Sequence, residues 1–171
     1  KPGIYLDDPI AVLDYASLYP SSIIEKNLSH ETLINEEDES LLSVFTESSF
    51  HKVEYQNWIY RGKGKGDTIA KVINEVEPMK TCYFLKPEFT IKEKMVTKKQ
   101  PMGIIPTVLD HLLSARQETK DKMKDEKDEF KKKVLDGLQL AYKVTANSVY
   151  GQLGAKTSTI FKINIAACTT S

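Results

Sequence analysis

The chain has 171 residues, of which 40% are hydrophobic and 28% charged, as expected of about one globular domain kept in a reducing intracellular compartment. Its 24 basic residues balance its 24 acidic ones, so overall charge does not indicate a nucleic-acid binder, and any basic surface must come from local clustering. Cys82, Cys168 and the three histidines lack metal-site spacing, and no apolar stretch reaches the roughly 20 residues of a membrane span.

The first predicted element is a short buried strand, Ile10–Leu13, which ends at Asp14. The octet Asp14–Ser21 reads Asp-Tyr-Ala-Ser-Leu-Tyr-Pro-Ser and predicts a strand-end carboxylate followed by a turn with exposed backbone N–H groups. A carboxylate can bind a divalent metal, and exposed N–H groups can bind phosphate oxygens. The octet therefore indicates a place where metal-bound phosphates react.

A short helix is predicted from about Ser21 to Leu28, because Ser22 and Glu25 have capping-box spacing. The following region, 36–102, contains β-prone stretches and predicts a small sheet with connecting loops. Its segment Gly62–Gly66 alternates glycine with lysine. We interpret it as a hairpin tip, because it lacks the Gly-Lys-Ser/Thr ending of a phosphate loop.

A helix is predicted from Pro106 onward, where apolar residues recur at helical spacing. It then turns polar, since 14 of the 18 residues in Arg116–Lys133 are charged. Such a stretch is helical only if it is largely solvated and supported by ion pairs, of which Asp121–Lys124 and Asp128–Lys132 are candidates.

A second amphipathic helix is predicted from about Phe130 to Val149, with Gly151 and Gly154 at its end. The charged junction at 125–129 predicts that the two helices form an antiparallel hairpin. The fold class is therefore α+β: a strand and short helix, a small sheet and a helical hairpin.

The second helix carries Lys143, Asn147 and Gly151 on one face, and the first carries Arg116 and Lys120 one turn apart. Each four-residue step climbs about 6 Å, so the side chains could contact successive parts of one elongated ligand. The alternative is that Lys143 and the Arg116–Lys120 pair are ordinary solvated surface charges.

Three motifs resemble those of family B DNA polymerases and occur in the family's order. Asp-x-x-Ser-Leu-Tyr-Pro-Ser resembles the first palm motif, Leu-Leu-x-x-Arg-x-x-x-Lys at 112–120 a fingers helix, and Lys-x-x-x-Asn-Ser-x-Tyr-Gly at 143–151 the next fingers motif. The resemblance covers nearly the whole chain. The residues of its motifs are most similar to those of polymerases of large nucleocytoplasmic DNA viruses and of eukaryotic delta-type enzymes. It implies a palm segment at 1–35, a palm insertion at 36–102, a fingers hairpin at 103–154 and a return to the palm at 155–171.

The resemblance also implies roles for individual residues. Asp14 and the Tyr15 carbonyl would bind metal, and Asp14 and Lys143 would be catalytic. The N–H groups of Ser17 and Leu18 would bind the β- and γ-phosphates, and Tyr19 would contact the sugar. The triphosphate would be neutralised by Arg116, Lys120 and Lys143, and Asn147 would contact the triphosphate or the sugar. Tyr150 and Gly151 would face the nascent base pair and the template.

The implied reaction is transfer of a nucleotide from a dNTP to a primer 3′-hydroxyl with two Mg²⁺ ions. The implied partners are primer–template DNA, the rest of the polymerase chain (exonuclease, thumb and remaining palm) and a sliding clamp, with no membrane. The location would be the host nucleus or a cytoplasmic replication site for a viral enzyme, and the nucleus for a cellular one.

The sequence departs from the family at one important point. The family's third motif, Tyr-Gly-Asp-Thr-Asp-Ser, is absent, and the chain begins without methionine. We therefore expect a piece of a larger protein that does not polymerise DNA by itself. Two alternatives remain: a non-catalytic helical-hairpin docking module, and an inactive polymerase homologue. Convergence of Arg116, Lys143 and Asn147 on the Asp14 turn would favour the polymerase over the docking module.

Overall fold

A computed structural model gives the fold. It describes residues 15–35, 38–56, 58–61, 70–73 and 79–171. For residues 35, 39, 58–61 and 70–73 it describes the backbone alone. Three predictions fall outside the described residues: the strand at 10–13, the Asp14 carboxylate and the glycine–lysine segment at 62–66.

Helix α1 spans Leu18–Glu25 and so begins three residues earlier than predicted. Ser17, directly before it, has a left-handed backbone with φ and ψ both 60°. Pro20 lies at the third helical position, where its missing N–H has no intrahelical partner to lose. The turn at Ser17 therefore starts the helix inside the octet.

The capping box predicted for Ser22 and Glu25 is wrong. Ser22 lies within α1, and its hydroxyl donates to the Leu18 carbonyl at 3.0 Å. A serine in mid-helix commonly makes this bond to the preceding turn, so its side chain is not available to cap a later helix start.

The predicted small sheet is present as a three-stranded antiparallel sheet in the order β1-β5-β2. Its strands are β1 (Leu33–Asn35), β2 (Phe50–Tyr55) and β5 (Lys80–Leu85). Alternate residues of β5, Cys82 and Phe84, are buried, which gives the sheet one face toward the core.

Two antiparallel strand pairs accompany this sheet. Strands β3 (Trp58–Arg61) and β4 (Ala70–Ile73) pair with each other, as do β6 (Glu88–Ile91) and β7 (Val96–Lys99). A short helix α2 (Glu39–Val44) and a 3-10 turn (Glu47–Ser49) lie between β1 and β2 in the sequence.

The predicted helical hairpin is confirmed, with α3 at Ile104–Asp125 and α4 at Glu129–Gly154. Arg116 and Gln139, which lie about equally far from the connecting loop, are joined by a hydrogen bond of 3.2 Å, as an antiparallel pair requires. Gly151 does not end α4, which continues for three further residues. An isolated glycine costs a helix only about 1 kcal/mol, and packing of the last turn outweighs this.

The two predicted ion pairs have different outcomes. Lys124 Nζ lies 2.8 Å from Asp121 Oδ1. Asp128 instead caps α4, because its carboxylate accepts from the backbone N–H groups of Phe130 and Lys131 at 2.8 and 3.3 Å. A carboxylate at a helix start also faces the positive end of the helix dipole, which favours this cap over a surface pair with Lys132.

The core lies where α1, the sheet, the hairpin and α5 (Ile163–Thr169) meet. Each of these elements contributes side chains with no exposed surface: Ile23, Phe84, Leu109, Leu153 and Ile165. Cys82 and Cys168 are buried thiols in the same core, and their mutual hydrogen bond together with burial raises the pKa of Cys168. No helix in the described ranges is long and apolar enough to cross a bilayer.

The start of α3 is fixed by side chains from the segment after α1. Asn27 Oδ1 accepts from the Gly103 N–H at 2.8 Å, Glu31 Oε1 accepts from the Ile104 N–H, and Ser29 Oγ accepts from the Ile105 N–H at 3.3 Å. We call the side chains of Asn27, Ser29 and Glu31 the α3 cap. We call the contact between the α3 cap and the start of α3 the joint. It is closely packed, because a Cβ on Gly103 would lie 2.5 Å from Ser29 Cβ.

Gly103 and Gly137 offer a matched pair of substitutions. Gly103→Ala should lower the free energy of unfolding by about 1–3 kcal/mol, because the added carbon overlaps Ser29. Gly137→Ala should raise it by about 0.5–1 kcal/mol, because a Cβ there meets nothing within 4 Å and alanine favours the helix. Urea denaturation measures both, and a Gly103→Ala chain as stable as wild type would contradict the described joint.

The Glu31 carboxylate gives the joint a pH dependence. Partial burial acts to raise its pKa, but the hydrogen bonds from the Ile104 N–H and the Ser29 hydroxyl outweigh this and leave the pKa below the ordinary 4.5. A lowered pKa stabilises the fold above the ordinary value, and this stabilisation is lost as the pH falls below it. Between about pH 5 and about pH 3, wild type should therefore lose more free energy of unfolding than Glu31→Gln. Equal losses in the two chains would refute the contribution.

Candidate functional site

A pocket of about 460 Å³ opens between the start of α1 and the last turns of α4. All of its lining residues belong to the site predicted from the sequence: Tyr15, Ser17, Leu18, Tyr19, Lys143, Asn147, Tyr150 and Gly151. The two halves of this set come from segments more than a hundred residues apart. The fold therefore brings together two motifs that the sequence identified separately.

The α1 side of the pocket presents backbone donors. The first N–H groups of a helix have no partner within it, and together with the helix dipole they favour an anion. At α1 these groups belong to the turn after Ser17, whose side chain makes no cap to the helix. The turn can therefore offer N–H groups to phosphate or carboxylate oxygens.

The α4 side presents a cation and an amide. Lys143 and Asn147 are both exposed and lie one helical turn apart on the pocket face. One turn further, Gly151 leaves open space, since a Cβ there would meet nothing within 4 Å. An ammonium, an amide and a gap over about 12 Å suit a ligand with an anionic end and a flat or bulky other end.

Two tyrosines join the halves of the pocket. The rings of Tyr19 and Tyr150 are stacked, with centroids 4.3 Å apart and planes inclined by 28°. The sequence had placed both rings at the site, but it carried no signal that they touch. Their contact ties the start of α1 to the end of α4.

Arg116 and Lys120 do not line the pocket. Arg116 is half-buried and faces α4, where its Nε–H donates to Gln139 Oε1 at 3.2 Å. Gln139 is one turn before Lys143, so Arg116 is bound one helical turn from the pocket's lysine. This bond uses one of the five guanidinium donors. Lys120 lies one further turn toward the hairpin loop.

The metal prediction is not tested by the geometry, because Asp14 lies outside the described residues. Tyr15, the other predicted ligand, lines the pocket and is 77% exposed. Among the residues that the structure describes, no three His, Cys, Asp or Glu side chains cluster as a metal centre would require.

A larger pocket, of about 640 Å³, lies on the small sheet and contains none of the predicted site residues. Its lining includes Lys52, which is paired with Glu54 at 2.5 Å. We favour the smaller pocket as the functional site, because it combines helix-start donors with an exposed cation from a second element.

Comparison with known proteins places the chain among polymerases. The model of "DNA polymerase family B" matches residues 1–171. The DNA polymerase of Phaeocystis pouchetii virus is 38% identical over 175 residues, covering 100% of this chain and 17% of that protein. The DNA polymerase delta catalytic subunit of Dictyostelium discoideum is 37% identical over 172 residues, covering 99% of this chain and 12% of that protein.

A solved structure agrees with the fold. The family B DNA polymerase from the hyperthermophilic archaeon Pyrobaculum calidifontis matches with a TM-score of 0.52 and 25% identity, over 90% of this chain and 15% of that one. The chain thus spans between 12 and 17% of the length of these three relatives.

The tyrosine stack is testable without a ligand. A double-mutant cycle of Tyr19→Ala and Tyr150→Ala should give a coupling energy of about 0.5–1.5 kcal/mol in urea denaturation, because a stacked pair contributes this much beyond burial. The matched control is a second cycle that combines Tyr19→Ala with Tyr142→Ala. Tyr142 is another partly buried tyrosine of α4, and this cycle should give a coupling energy near zero. Equal coupling in both cycles would count against the stack.

Proposed function

The chain belongs to the family B DNA polymerases, and from this we propose that it forms the nucleotide-binding part of the palm and fingers of a longer DNA-directed DNA polymerase. The observation that carries the proposal is the pocket in which the Ser17–Tyr19 turn meets Lys143 and Asn147. The docking-module alternative gives no reason for this meeting.

The incoming dNTP lies across the two halves of the pocket in this proposal. Its β- and γ-phosphates accept from the N–H groups of Ser17 and Leu18, and Lys143 neutralises their charge. Arg116, which bonds to Gln139 one turn from Lys143, and Lys120 add to that neutralisation at the fingers side. Asn147 contacts the triphosphate or the sugar.

The sugar and base occupy the aromatic end of the site. The Tyr19 ring lies under the sugar, where an added 2′-hydroxyl would clash, so ribonucleotides are excluded. Tyr150 and Gly151 face the nascent base pair and the template. The open space beside Gly151 supports this placement, because a base pair needs a flat surface without a protruding side chain.

The chemical step is attack by the primer 3′-hydroxyl on the α-phosphorus, with rupture of the bond to the β-phosphate and release of pyrophosphate. The chain's residues position the triphosphate and stabilise charge on the leaving group. Family B polymerases depend on metal ions, and Mg²⁺, two ions in the intact enzyme, would supply activation of the attacking oxygen and charge neutralisation. Asp14 and the Tyr15 carbonyl are the proposed ligands within this chain.

The remaining carboxylates must come from elsewhere in the parent protein, since the Tyr-Gly-Asp-Thr-Asp-Ser motif is absent here. The proposed partners are primer–template DNA and the exonuclease, thumb and remaining palm of the parent chain, with a sliding clamp as a family-level expectation. The proposed setting is intracellular DNA replication: a viral replication site or host nucleus for a viral enzyme, and the nucleus for a cellular one.

Primer extension by the full-length protein tests the proposal. Wild type should incorporate dNTP in the presence of Mg²⁺, Asp14→Ala should be inactive, and Lys143→Ala should lower kcat/KM for dNTP by about 10²-fold, the usual effect of removing one group that stabilises transition-state charge. The matched control is Lys132→Ala, an exposed lysine of the same helix outside the pocket.

Three results would contradict the proposal or one of its parts. Equal kcat/KM for Lys143→Ala and Lys132→Ala would remove the pocket from catalysis. An inactive but folded wild-type protein would favour the inactive homologue. The isolated 171-residue chain should incorporate nothing, and incorporation by it that is lost in Asp14→Ala would show that no further carboxylates are needed.

A further inference from the structure

The α3 cap satisfies the whole start of α3. Three consecutive backbone N–H groups, of Gly103, Ile104 and Ile105, donate to Asn27, Glu31 and Ser29. The next residue, Pro106, has no N–H, and the Thr107 N–H bonds to the Gly103 carbonyl at 3.0 Å within the helix. No donor at this end is left for solvent to satisfy.

The cap is built from side chains that also hold one another. Ser29 Oγ donates to Glu31 Oε2 at 2.8 Å, so the serine links the carboxylate to the Ile105 N–H. The Asn27 carbonyl and the Ser29 N–H both bond to Thr32 Oγ1, at 2.6 and 3.1 Å. The segment therefore presents its three acceptors in one fixed arrangement, which a flexible loop would not do.

Asn27 extends the joint to the sheet. It is 1% exposed and has a left-handed φ of 53°, a conformation that asparagine tolerates better than most residues. Its Nδ2 donates to the Leu85 carbonyl at 2.8 Å, while its Oδ1 accepts from Gly103. One amide thus joins the end of α1, the strand β5 and the start of α3.

The joint lies where a small change in the direction of α3 displaces residues near the pocket. Helix α1 connects the Ser17–Tyr19 turn to the cap segment, which begins at Asn27, two residues after the helix ends. Helix α3 runs from the cap to Arg116, about 18 Å away along its axis. Helix α4, with Lys143, packs along α3. A tilt of α3 by about 5° at the cap would move Arg116 by about 1.6 Å, which exceeds the roughly 0.5 Å range of hydrogen-bond distances and would therefore weaken contacts with a bound triphosphate.

We infer that the α3 cap is a positioning element for nucleotide binding: it sets the distance between the phosphate-binding turn at Ser17–Tyr19 and the cations on the helical hairpin. The inference rests on the proposed function. Neither Asn27, Ser29 nor Glu31 lines the pocket, so each acts through the helices it joins.

Glu31→Ala in the full-length protein tests the inference, because it removes two hydrogen bonds of the cap without touching the pocket. The measurements are equilibrium binding of dNTP to a complex with dideoxy-terminated primer–template, and single-turnover incorporation with an extendable primer. The Kd for dNTP should rise about tenfold, the maximum rate should fall less than threefold, and the Kd for primer–template should stay within twofold. Glu31→Gln, which keeps an acceptor for the Ile104 N–H, should restore most of the dNTP affinity.

The matched control is Glu25→Ala, which removes an exposed carboxylate of α1 that pairs with Lys26 and does not line the pocket. A dNTP Kd equal in Glu31→Ala and Glu25→Ala overturns the inference, as does an equal weakening of primer–template binding, which would indicate general destabilisation. If wild type binds dNTP but does not incorporate it, the proposed activity fails while the dNTP Kd still tests the cap. If wild type binds no dNTP, both fail.

Discussion

Satisfaction of the backbone N–H groups at the start of α3 is the constraint on which the arrangement of the site depends. Gly103 is buried there, and a buried N–H left without a partner costs about 1–3 kcal/mol. The N–H groups of exposed Ile104 and partly buried Ile105 are matched as well, so the segment at 27–31 serves three donors with an amide, a carboxylate and a hydroxyl. The helical hairpin can begin only where these acceptors lie, so its direction is decided by the segment that follows α1.

The sequence predicted the elements better than their junctions. Both hairpin helices were predictable, because their apolar residues recur at helical spacing and their charged stretch is easily solvated. The strands β2 and β5 were predictable from β-prone residues. The start of α1 was not, because it follows from the left-handed turn at Ser17 and not from a capping side chain. Local residue patterns predict helices and strands, but they do not predict the backbone conformation of a turn, such as that at Ser17, which lies before the helix it starts.

The site shows the same division between local and long-range information. Helical spacing and the family resemblance together indicated every residue that lines the pocket, yet they did not reveal the Tyr19–Tyr150 stack, the Arg116–Gln139 bond or the role of Asn27. The bond from Gly103 to Asn27 spans 76 positions, and nothing in a single sequence marks such a partner. Net charge was equally uninformative, because the relevant field is that of a few cations on the hairpin and one helix start.

Two of the contacts that the sequence did not reveal lie at opposite ends of α1. At its first turn, the ring of Tyr19 stacks on α4; after its last turn, Asn27 and its neighbours bind α3. Because α3 and α4 pack together as one hairpin, each of the three helices α1, α3 and α4 is connected to the other two, an arrangement that we call the triangle. A helix of only eight residues, held at both ends by different members of a packed pair, cannot rotate without breaking one contact. The pocket lies along one side of this triangle, between α1 and α4. Its width is therefore a property of the joint as much as of the residues that line it.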